Sequence, residues 1–419
     1  MPKMQTLLTV AALVLYCSIP LHASRAVITT SRKSPIRSGP SKEFARVTVL
    51  PVGVKLWAIG REGSWYKVAL CQVLDGWIDA SNIRELDAGL TPDTARLTDM
   101  SVSAQGGVTR VLFYLTDRVP FRIRQSVFPA QLKVDLFRCA TAQEAMRQFP
   151  GTVGVRPLPP QQLASDWTEI TLDLTNAHQT GYFAYFSSSG HLIVDIKAPF
   201  ASASVAGKRV AIDPGHGGPD SGAVGPTGLC EKDANLAISM VLRQELLSAG
   251  AEVFMTRERD VAVGPGGSKG GELEARVAAS KAAQADLFVS VHNNAVGSGN
   301  AANAYGTEIY YWTPMSYLAA VTIQEAVVAA LGTRDRFVGW QRFYVMRETD
   351  CPRVLVECAF VSNPQEEQNL RTPLFLHKAG QGIFEGIKSY FAAAVQPPSV
   401  TPAVPQIELF PTPLVGPEG

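Results

Sequence analysis

The stretch Val210-Ala-Ile-Asp-Pro-Gly-His-Gly-Gly218 decides the fold of the 419-residue chain. Its apolar start predicts a β-strand, and the cluster Asp213-Pro214-Gly215 predicts the turn that ends this strand. The turn places His216 just beyond the carboxyl end of the strand. Ligands of open α/β sheets bind at this end of the strands, so His216 is a candidate functional residue.

Two further apolar runs end in polar residues of the same kind. Residues 285–291 run into His292, and residues 353–356 run into Glu357. Glu231 precedes apolar residues at helical spacing, which places it at or before the first turn of a helix. Parallel strands would bring these side chains to one edge of a sheet.

The residue types at this edge indicate metal chemistry. A single histidine at a turn is more often a surface or hydrogen-bonded residue, but His216, Glu231 and His292 together match the ligand set of a catalytic zinc with one open position. Zinc lowers the pKa of a bound water to about 7. Glu357 is the candidate general base and acid, since a proton must move from the water to the leaving group.

Five ordered motifs between residues 208 and 394 resemble the zinc-dependent N-acetylmuramoyl-L-alanine amidases. They are D-P-G-H-G-G-x-D-x-G-A-x-G at 213–225, C-E-K-D-A-N-L at 230–236, A-D-L-F-V-S-V-H-N-N-A at 285–295, G-T-E-I-Y-Y at 306–311 and V-L-V-E-C-A-F-V-S-N-P-Q-E-E at 354–367. The resemblance implies that His216, Glu231 and His292 bind Zn²⁺ and that Glu357 is catalytic. These are the four residues that the strand ends select.

The resemblance also implies a substrate, which is the amide between N-acetylmuramic acid and the L-alanine of the peptidoglycan stem peptide. Arg276, Asn293 and Asn294 are candidate substrate-binding residues. Arg276 could bind a substrate carboxylate through two hydrogen bonds or form a structural salt bridge. A zinc peptidase acting on stem peptides and a non-catalytic cell-wall-binding protein remain as alternatives.

The segment 207–395 is the predicted catalytic domain, because strands and helices alternate along it. This alternation predicts an α/β domain with a twisted, mostly parallel sheet and helices on both faces. The predicted strands are 208–213, 251–256, 285–291, 306–312, 342–346 and 353–358. The predicted helices are 229–249, 272–284, 315–331 and 373–394.

Two all-β domains are predicted before it, which makes the chain a multidomain protein. Residues 26–88 resemble bacterial Src-homology-3-like domains, which implies a small β-barrel that contacts wall polymers. Residues 93–199 contain a near-repeat, in which 109–116 matches 168–175 and 132–136 matches 192–196. Alternation of apolar and polar residues predicts two packed sheets, a β-sandwich, which resembles the AMIN domains implicated in placing amidases in the envelope.

Both ends of the chain have their own composition. Residues 1–23 combine a basic start, a short apolar core and a small-residue end, which predicts a signal peptide and export to the periplasm, the extracellular space or the cell wall. That core is too short to span a membrane, and no transmembrane segment is predicted in the mature chain. The Pro-rich stretch 396–419 is predicted to be a disordered tail, and the glycine-rich loop 263–271 a flexible rim of the cleft.

Charge and cysteine content narrow the partners. The formal net charge is +1, from 38 basic and 37 acidic residues, which gives no reason to expect nucleic-acid binding. The mature chain carries five cysteines, an odd number, so at least one thiol is free or pairs between chains. Cys230 and Cys358 neighbour the presumed site residues and are interpreted as small buried side chains, with a disulfide or a metal thiolate as the alternative.

Overall fold

The computed structural model describes residues 25–87, 93–142, 154–174, 178–264, 269–297 and 301–396. The chain separates into two compact units, with the division after Asp93. The predicted signal peptide 1–23, residues 397–419 of the predicted tail and residues 265–268 of the glycine-rich loop lie outside the described residues.

The amino-terminal unit is a seven-stranded antiparallel sheet in the order β3-β2-β6-β5-β4-β1-β7. Its strands are β1 (Arg25–Thr29), β2 (Ser34–Arg37), β3 (Arg46–Leu50), β4 (Lys55–Glu62), β5 (Trp65–Cys71), β6 (Leu74–Asp79) and β7 (Ile83–Glu85). Fully buried aliphatic side chains such as Val27, Leu56 and Val68 alternate with exposed residues along the strands. This alternation gives the small unit its own core.

The second unit begins with two five-stranded sheets in the orders β12-β8-β9-β17-β16 and β10-β11-β15-β13, with β14 also on β15. Their strands are β8 (Ala95–Gln105), β9 (Val108–Leu115), β10 (Phe121–Val127), β11 (Ala130–Phe137), β12 (Cys139–Thr141), β13 (Arg156–Pro157), β14 (Gln161–Ala164), β15 (Trp167–Asp173), β16 (Tyr182–Phe186) and β17 (Leu192–Lys197). One hydrophobic core joins both sheets, with Phe113 and Val194 from the first and Leu132 and Ile170 from the second.

The near-repeat of the sequence has a structural counterpart in these sheets. The matching segments form β9 and β15 in one case and β11 and β17 in the other. In the structure, β9 pairs with β17 and β11 pairs with β15. Each sheet therefore contains one strand from each repeat, and neither repeat forms a sheet by itself.

The carboxy-terminal part of the second unit is built on a six-stranded sheet in the order β19-β18-β20-β23-β21-β22. The strands are β18 (Arg209–Pro214), β19 (Glu252–Met255), β20 (Leu287–Asn294), β21 (Thr307–Tyr311), β22 (Asp335–Trp340) and β23 (Arg353–Phe360). All neighbouring pairs are parallel except β21 with β23. The carboxyl ends of β18, β20 and β23 therefore lie at one edge of the sheet.

Helices cover both faces of this sheet. They are α1 (Glu231–Ser248), α2 (Lys269–Ala282), α3 (Tyr317–Leu331), α4 (Pro364–Leu370) and α5 (Pro373–Ala394). Val210 and Ile212 join the core formed with α1, α3 and α5, whereas Ala211 between them joins the core that contains Val277 of α2. Successive side chains of β18 thus point alternately into the cores on the two faces of the sheet.

The segment Pro314–Leu331, which comprises α3 and the turn before it, is apolar and long enough to cross a membrane by length and composition alone. Its side chains Ala319, Ile323 and Val327 are completely buried in the core shared with α5. Burial of this kind is typical of a core helix.

Three elements differ between the sequence prediction and the structure. The predicted strand 342–346 is wrong, because Tyr344–Met346 forms a short 3₁₀ helix that buries Val345 and Met346. The strand next to β21 is instead Asp335–Trp340, an edge strand of mixed polar and apolar residues without a fully buried side chain. The helix α4 was not predicted, although Asn363 caps it by accepting hydrogen bonds from the amides of Gln365 and Glu366.

The two five-stranded sheets contact the amino-terminal ends of the parallel strands β20 and β23. Tyr182 and Thr349 exchange two hydrogen bonds, from Tyr182 N to Thr349 O at 2.7 Å and from Thr349 Oγ1 to Tyr182 O at 3.0 Å. Lys197 Nζ donates to Ala285 O at 2.8 Å, just before β20. Gly181 permits this approach, since a Cβ there would lie 2.2 Å from Asp350 O.

Candidate metal centre

A cleft of about 330 Å³ lies at the carboxyl ends of β18, β20 and β23. His216, Glu231, His292 and Glu357 all line it. The ligand atoms of the first three lie within 4.8 Å of one another. The three candidate ligands therefore meet at one point, and Glu357 lines the same cleft.

His216 is held in a left-handed backbone conformation, with φ of 60°. Its Nδ1 lies 2.9 Å from Asp220 Oδ2, and its Nε2 lies 3.2 Å from Glu231 Oε2. Burial lowers the pKa of His216, but the hydrogen bonds to Glu231 and Asp220 outweigh this effect and raise the pKa. Asp220 thus fixes the ring so that Nε2 faces the cluster, as carboxylates do for metal-binding histidines.

Glu231 is the first residue of α1, as predicted, and its carboxylate is the centre of the cluster. Oε1 lies 2.9 Å from His292 Nδ1 and accepts from Asn235 Nδ2 at 3.2 Å, while Oε2 accepts from Ala223 N at 3.0 Å. Burial raises the pKa of Glu231, but the two imidazoles outweigh it and hold the pKa far below the ordinary value. Glu231 is therefore an anion in a buried position.

Two glycines leave room for these side chains. A Cβ on Gly215 would lie 2.2 Å from Cε1 and 2.3 Å from Nε2 of His292. A Cβ on Gly222 would lie 2.6 Å from Glu231 Oε2 and 2.7 Å from His216 Cδ2, and Gly222 also has a φ of 65°. Gly215 and Gly222 of the D-P-G-H-G-G-x-D-x-G motif are thus required by close approach of the presumed ligands.

A buried ion pair supports the turn that carries His216. Asp213 accepts hydrogen bonds from Arg276 Nη1 at 2.6 Å, Thr256 Oγ1 at 2.6 Å and Ser290 Oγ at 2.8 Å. The other nitrogen, Nη2 of Arg276, donates to His216 O at 2.7 Å. Burial raises the pKa of Asp213, but the charge of Arg276 and these hydrogen bonds hold it below its ordinary value.

Glu357 lies in register beside His292, on the neighbouring strand. Its Oε2 has no hydrogen-bond partner among the described residues, although the side chain is buried. Burial, together with the negative charges of Glu231 and Glu308, raises the pKa of Glu357 well above the ordinary glutamate value. A buried carboxyl oxygen without a partner is an unusual feature that calls for a chemical role.

Glu308 lies on β21, and three donors hold it. Tyr310 OH donates to its Oε1 at 2.6 Å, Arg336 Nε donates to its Oε2 at 2.8 Å, and Asn294 Nδ2 also donates to Oε1. Glu308 is thus fully paired, in contrast to Glu357.

The three predicted substrate-binding residues line the cleft, but their side chains are engaged. Arg276 is 3% exposed and its guanidinium holds Asp213 and the turn at His216. Asn293 donates to Asn235 Oδ1 at 2.8 Å, and Asn294 donates to Glu308. The geometry favours the structural alternative for Arg276, which supports the turn from below.

Several residues that shape the site were not predicted. Asp220 and Glu308 stand inside quoted motifs, so their fixed positions beside site residues were a usable signal. Asn235 follows Glu231 by four residues, which places both side chains on one face of α1. Glu367 accepts from the amides of Thr227 and Leu229, and no local pattern indicates that long-range contact.

The cysteines of the described part of the chain are all free thiols. Cys358 is buried in the core on the face of β23 opposite the cleft, while Glu357 faces the cleft. Cys230 is the amino-terminal cap of α1 and is partly exposed. Neither thiol belongs to the cluster of potential metal ligands.

The donor set fits a zinc ion. Two imidazoles and one carboxylate, from three separate elements, form the protein ligand set of many catalytic zinc sites. The carboxylate is ionised, one histidine has its second nitrogen held by Asp220, and two glycines clear the space around the ligands. A fourth side chain, Glu357, offers an unpaired carboxyl oxygen beside the cluster.

A three-residue ligand set and a nearby carboxyl at the edge of a parallel sheet define the class of metal-dependent hydrolases. Comparison with known proteins gives the family. Residues 210–389 match the model of the N-acetylmuramoyl-L-alanine amidase family. The chain belongs to this family and is a peptidoglycan amidase.

Three relatives from Bacillus subtilis strain 168 illustrate the match. The uncharacterised protein YqiI is 42% identical over 200 residues, which are 46% of this chain and 91% of YqiI. A germination-specific N-acetylmuramoyl-L-alanine amidase is 34% identical over 206 residues, 47% of this chain and 85% of that protein. The amidase LytC is 39% identical over 191 residues, 45% of this chain but only 36% of LytC. These matches cover less than half of the chain.

Proposed function

We propose that this chain hydrolyses the amide between N-acetylmuramic acid and L-alanine of the stem peptide with a zinc ion held by His216, Glu231 and His292. One observation carries the proposal. Glu357, a buried carboxyl with an unpaired oxygen, lies in the same cleft as the three ligands. Family membership supplies the particular amide.

Zinc in this position polarises the scissile carbonyl and lowers the pKa of water. The residues of the chain do the rest. Glu357 takes the proton of the attacking water on its carboxyl oxygen and delivers it to the departing amine of L-alanine. Burial, together with the negative charge of Glu308, raises the pKa of Glu357, which suits a group that must both accept and donate a proton.

Supporting residues keep the ligands in place before substrate arrives. Asp220 orients the His216 ring, and Asn235 holds the carboxylate of Glu231. Arg276 and Asp213 fix the backbone of the turn. A preorganised site of this kind avoids the cost of reorganisation during the reaction.

In this proposal, the seven-stranded unit and the paired sheets that follow it hold the enzyme at the wall or envelope. The seven-stranded unit acts as an Src-homology-3-like barrel and the paired sheets as an AMIN-like sandwich, both contacting wall or envelope polymers. The chain is exported to the periplasm, the extracellular space or the cell wall. The sequence resemblances of these segments and the basic, apolar start of the chain support this part.

The test uses purified full-length chain and isolated peptidoglycan. Mass spectrometry is expected to show stem peptides with a free L-alanine amine and peptide-free glycan, and a chelator is expected to abolish both products. Glu357→Gln is expected to keep one zinc per chain but lose turnover by at least about 100-fold. Glu385→Gln, at an exposed position on α5, is the matched control.

The reaction products distinguish the proposed amidase from a zinc peptidase and from a non-catalytic cell-wall-binding protein. Cleavage within the stem peptide, with L-alanine still attached to the glycan, would identify a zinc peptidase. Retention on peptidoglycan without any released product would identify a binding protein. Full turnover by Glu357→Gln would remove Glu357 from the mechanism.

A further inference from the structure

Part of the cleft wall is aromatic. Phe343 and Tyr344 line the cleft together with Val345, next to Leu355 below them on β23. Phe343 remains 40% exposed, although most large apolar side chains of this domain are buried. Exposed aromatic rings at the mouth of a cleft commonly contact ligands.

The ring of Phe343 is held in place without a ligand. It packs edge-on against Tyr310, with 5.3 Å between ring centroids and 73° between planes. The Tyr310 hydroxyl donates to Glu308, and a Cβ on Gly339 would lie 2.6 Å from the Tyr310 ring. The next residue, Tyr344, is half-buried with Arg347 Cζ 5.2 Å from its ring centroid, and Val345 and Met346 after it are buried. Because the Phe343 ring is already ordered, little binding free energy is spent on ordering it when a ligand stacks on it.

This aromatic surface, which we call the Phe343 shelf (Phe343 and Tyr344), is close to the proposed base. Tyr310 follows Glu308 by two residues on β21, so their side chains lie on the same face. Glu308 is the direct partner of Glu357 across the two strands. One layer of side chains thus separates the shelf from Glu357.

The charges around the cleft decide which part of the substrate fits the shelf. Carboxylates line the cleft: Asp213, Asp220, Glu231, Glu272 and Glu357. Arg276 is the one arginine or lysine among the described lining residues, and its donors are committed to Asp213, Glu272 and backbone oxygens. The described lining residues therefore offer no free cation to bind a stem-peptide carboxylate. A neutral sugar ring, with an apolar face for the aromatic rings, does not need one.

We propose that the Phe343 shelf is the subsite for the muramoyl sugar, so that the glycan side of the scissile amide lies over Phe343 and Tyr344. This inference rests on the proposed amidase function and adds the orientation of the substrate in the cleft. The stem peptide then leaves the cleft away from the shelf.

The experiment compares two substrates with full-length zinc-loaded enzyme. One is a disaccharide-tetrapeptide with the complete muramoyl sugar, and the other is the matching D-lactoyl-tetrapeptide without the sugar. Phe343→Ala is expected to lower kcat/KM about tenfold on the first substrate, through KM, since roughly half of an aromatic side chain is removed from the contact. On the second substrate it is expected to change kcat/KM by less than about twofold. Phe343→Tyr is expected to restore the sugar-bearing substrate.

Binding gives a readout that does not depend on turnover. Peptide-free disaccharide is titrated against Glu357→Gln and against the double variant Glu357→Gln/Phe343→Ala, with about tenfold weaker binding expected for the latter. Phe337→Ala, at a 72% exposed position on β22 outside the cleft lining, is the matched control.

Two results would overturn the proposal that the Phe343 shelf binds the muramoyl sugar. Equal loss of kcat/KM on both substrates would make Phe343 a structural residue, and unchanged disaccharide binding in the double variant would place the sugar elsewhere. Failure of the amidase function itself is distinct, because the wild-type chain would then hydrolyse neither substrate.

Discussion

Glu308 and Glu357 lie directly opposite each other on the antiparallel strands β21 and β23. Like charges at such a position destabilise a sheet, and side chains of directly opposed residues are close neighbours. Three donors hydrogen-bond to the carboxylate of Glu308, whereas Glu357 carries an oxygen without a partner among the described residues. The unfavourable pairing of Glu308 with Glu357 thus lies beside the cleft in which catalysis is proposed.

Removal of the Glu308 charge is expected to move the acid limb of the activity profile. Glu308→Gln takes away a negative charge that raises the pKa of Glu357, so the base becomes available at lower pH. The measurement is kcat/KM as a function of pH, with Glu385→Gln as control. A shift of the limb toward higher pH would contradict this prediction.

The clearance at Gly215 is expected to control zinc affinity. Gly215→Ala places a methyl group within 2.3 Å of His292 Nε2, so the ring must move. We expect zinc affinity to fall about 10–100-fold, as for other changes that disturb ligand orientation. Competition with a chromogenic chelator measures this affinity.

Gly297→Ala is the control for that experiment, because no atom lies within 4 Å of a Cβ there. It is expected to bind zinc like the wild-type chain. Equal zinc affinity of Gly215→Ala and Gly297→Ala would disprove the role of the clearance.

The buried pair of Asp213 and Arg276 is expected to contribute strongly to stability. Asp213→Asn leaves the buried guanidinium with Glu272 as its one remaining charge partner among the described residues, which is expected to cost about 3 kcal/mol of unfolding free energy at pH 7. The folded-state pKa of Asp213 is lowered, so its stabilisation is present above the unfolded pKa of about 3.9 and is lost as pH falls through the folded value.

Denaturant unfolding of metal-free protein tests this prediction at two pH values. The difference in unfolding free energy between wild type and Asp213→Asn is expected to be large at neutral pH and smaller in acid. A difference that increases in acid would contradict the lowered pKa of Asp213. Arg276→Lys with unchanged KM but a lower midpoint would support the structural role of Arg276.

Glu367 is expected to stabilise the loop that leads into Glu231. Its carboxylate accepts from Thr227 N at 3.0 Å and Leu229 N at 3.1 Å, and burial is outweighed by these bonds so that its pKa is lowered. Glu367→Gln is expected to cost about 1–3 kcal/mol and to weaken zinc binding. Calorimetry measures the loss of stability, and zinc titration measures the affinity for the metal. An unchanged Tm would show that the hydrogen bonds of Glu367 to Thr227 and Leu229 do not stabilise the fold.

The sequence was informative where chemistry and strand ends coincide. Buried parallel strands have continuous apolar runs, and each run of this kind ended at a site residue, so β18, β20 and β23 could be predicted with their functional ends. Glu231 could be placed because apolar residues follow it at helical spacing. These signals are local.

The remaining features depend on contacts that are distant in sequence. The segment 342–346 has the apolar character of a strand, but it fills the space beside α2 as a 3₁₀ turn. The neighbouring edge strand Asp335–Trp340 mixes polar and apolar residues without a regular alternation, so its pattern does not distinguish a strand from a loop. Arg276 could be assigned either role from sequence, because only its partner Asp213 distinguishes them.

The hydrogen-bonded pair of Tyr182 and Thr349 has a mechanical consequence. Thr349 lies four residues before the first residue of β23, while Glu357 lies toward the other end of that strand. The eight residues of β23 span about 26 Å of extended chain. A strand buried along its whole length is stiff, so a pull on the paired sheets at Tyr182 would be transmitted along β23 toward the cleft and not absorbed by a flexible linker.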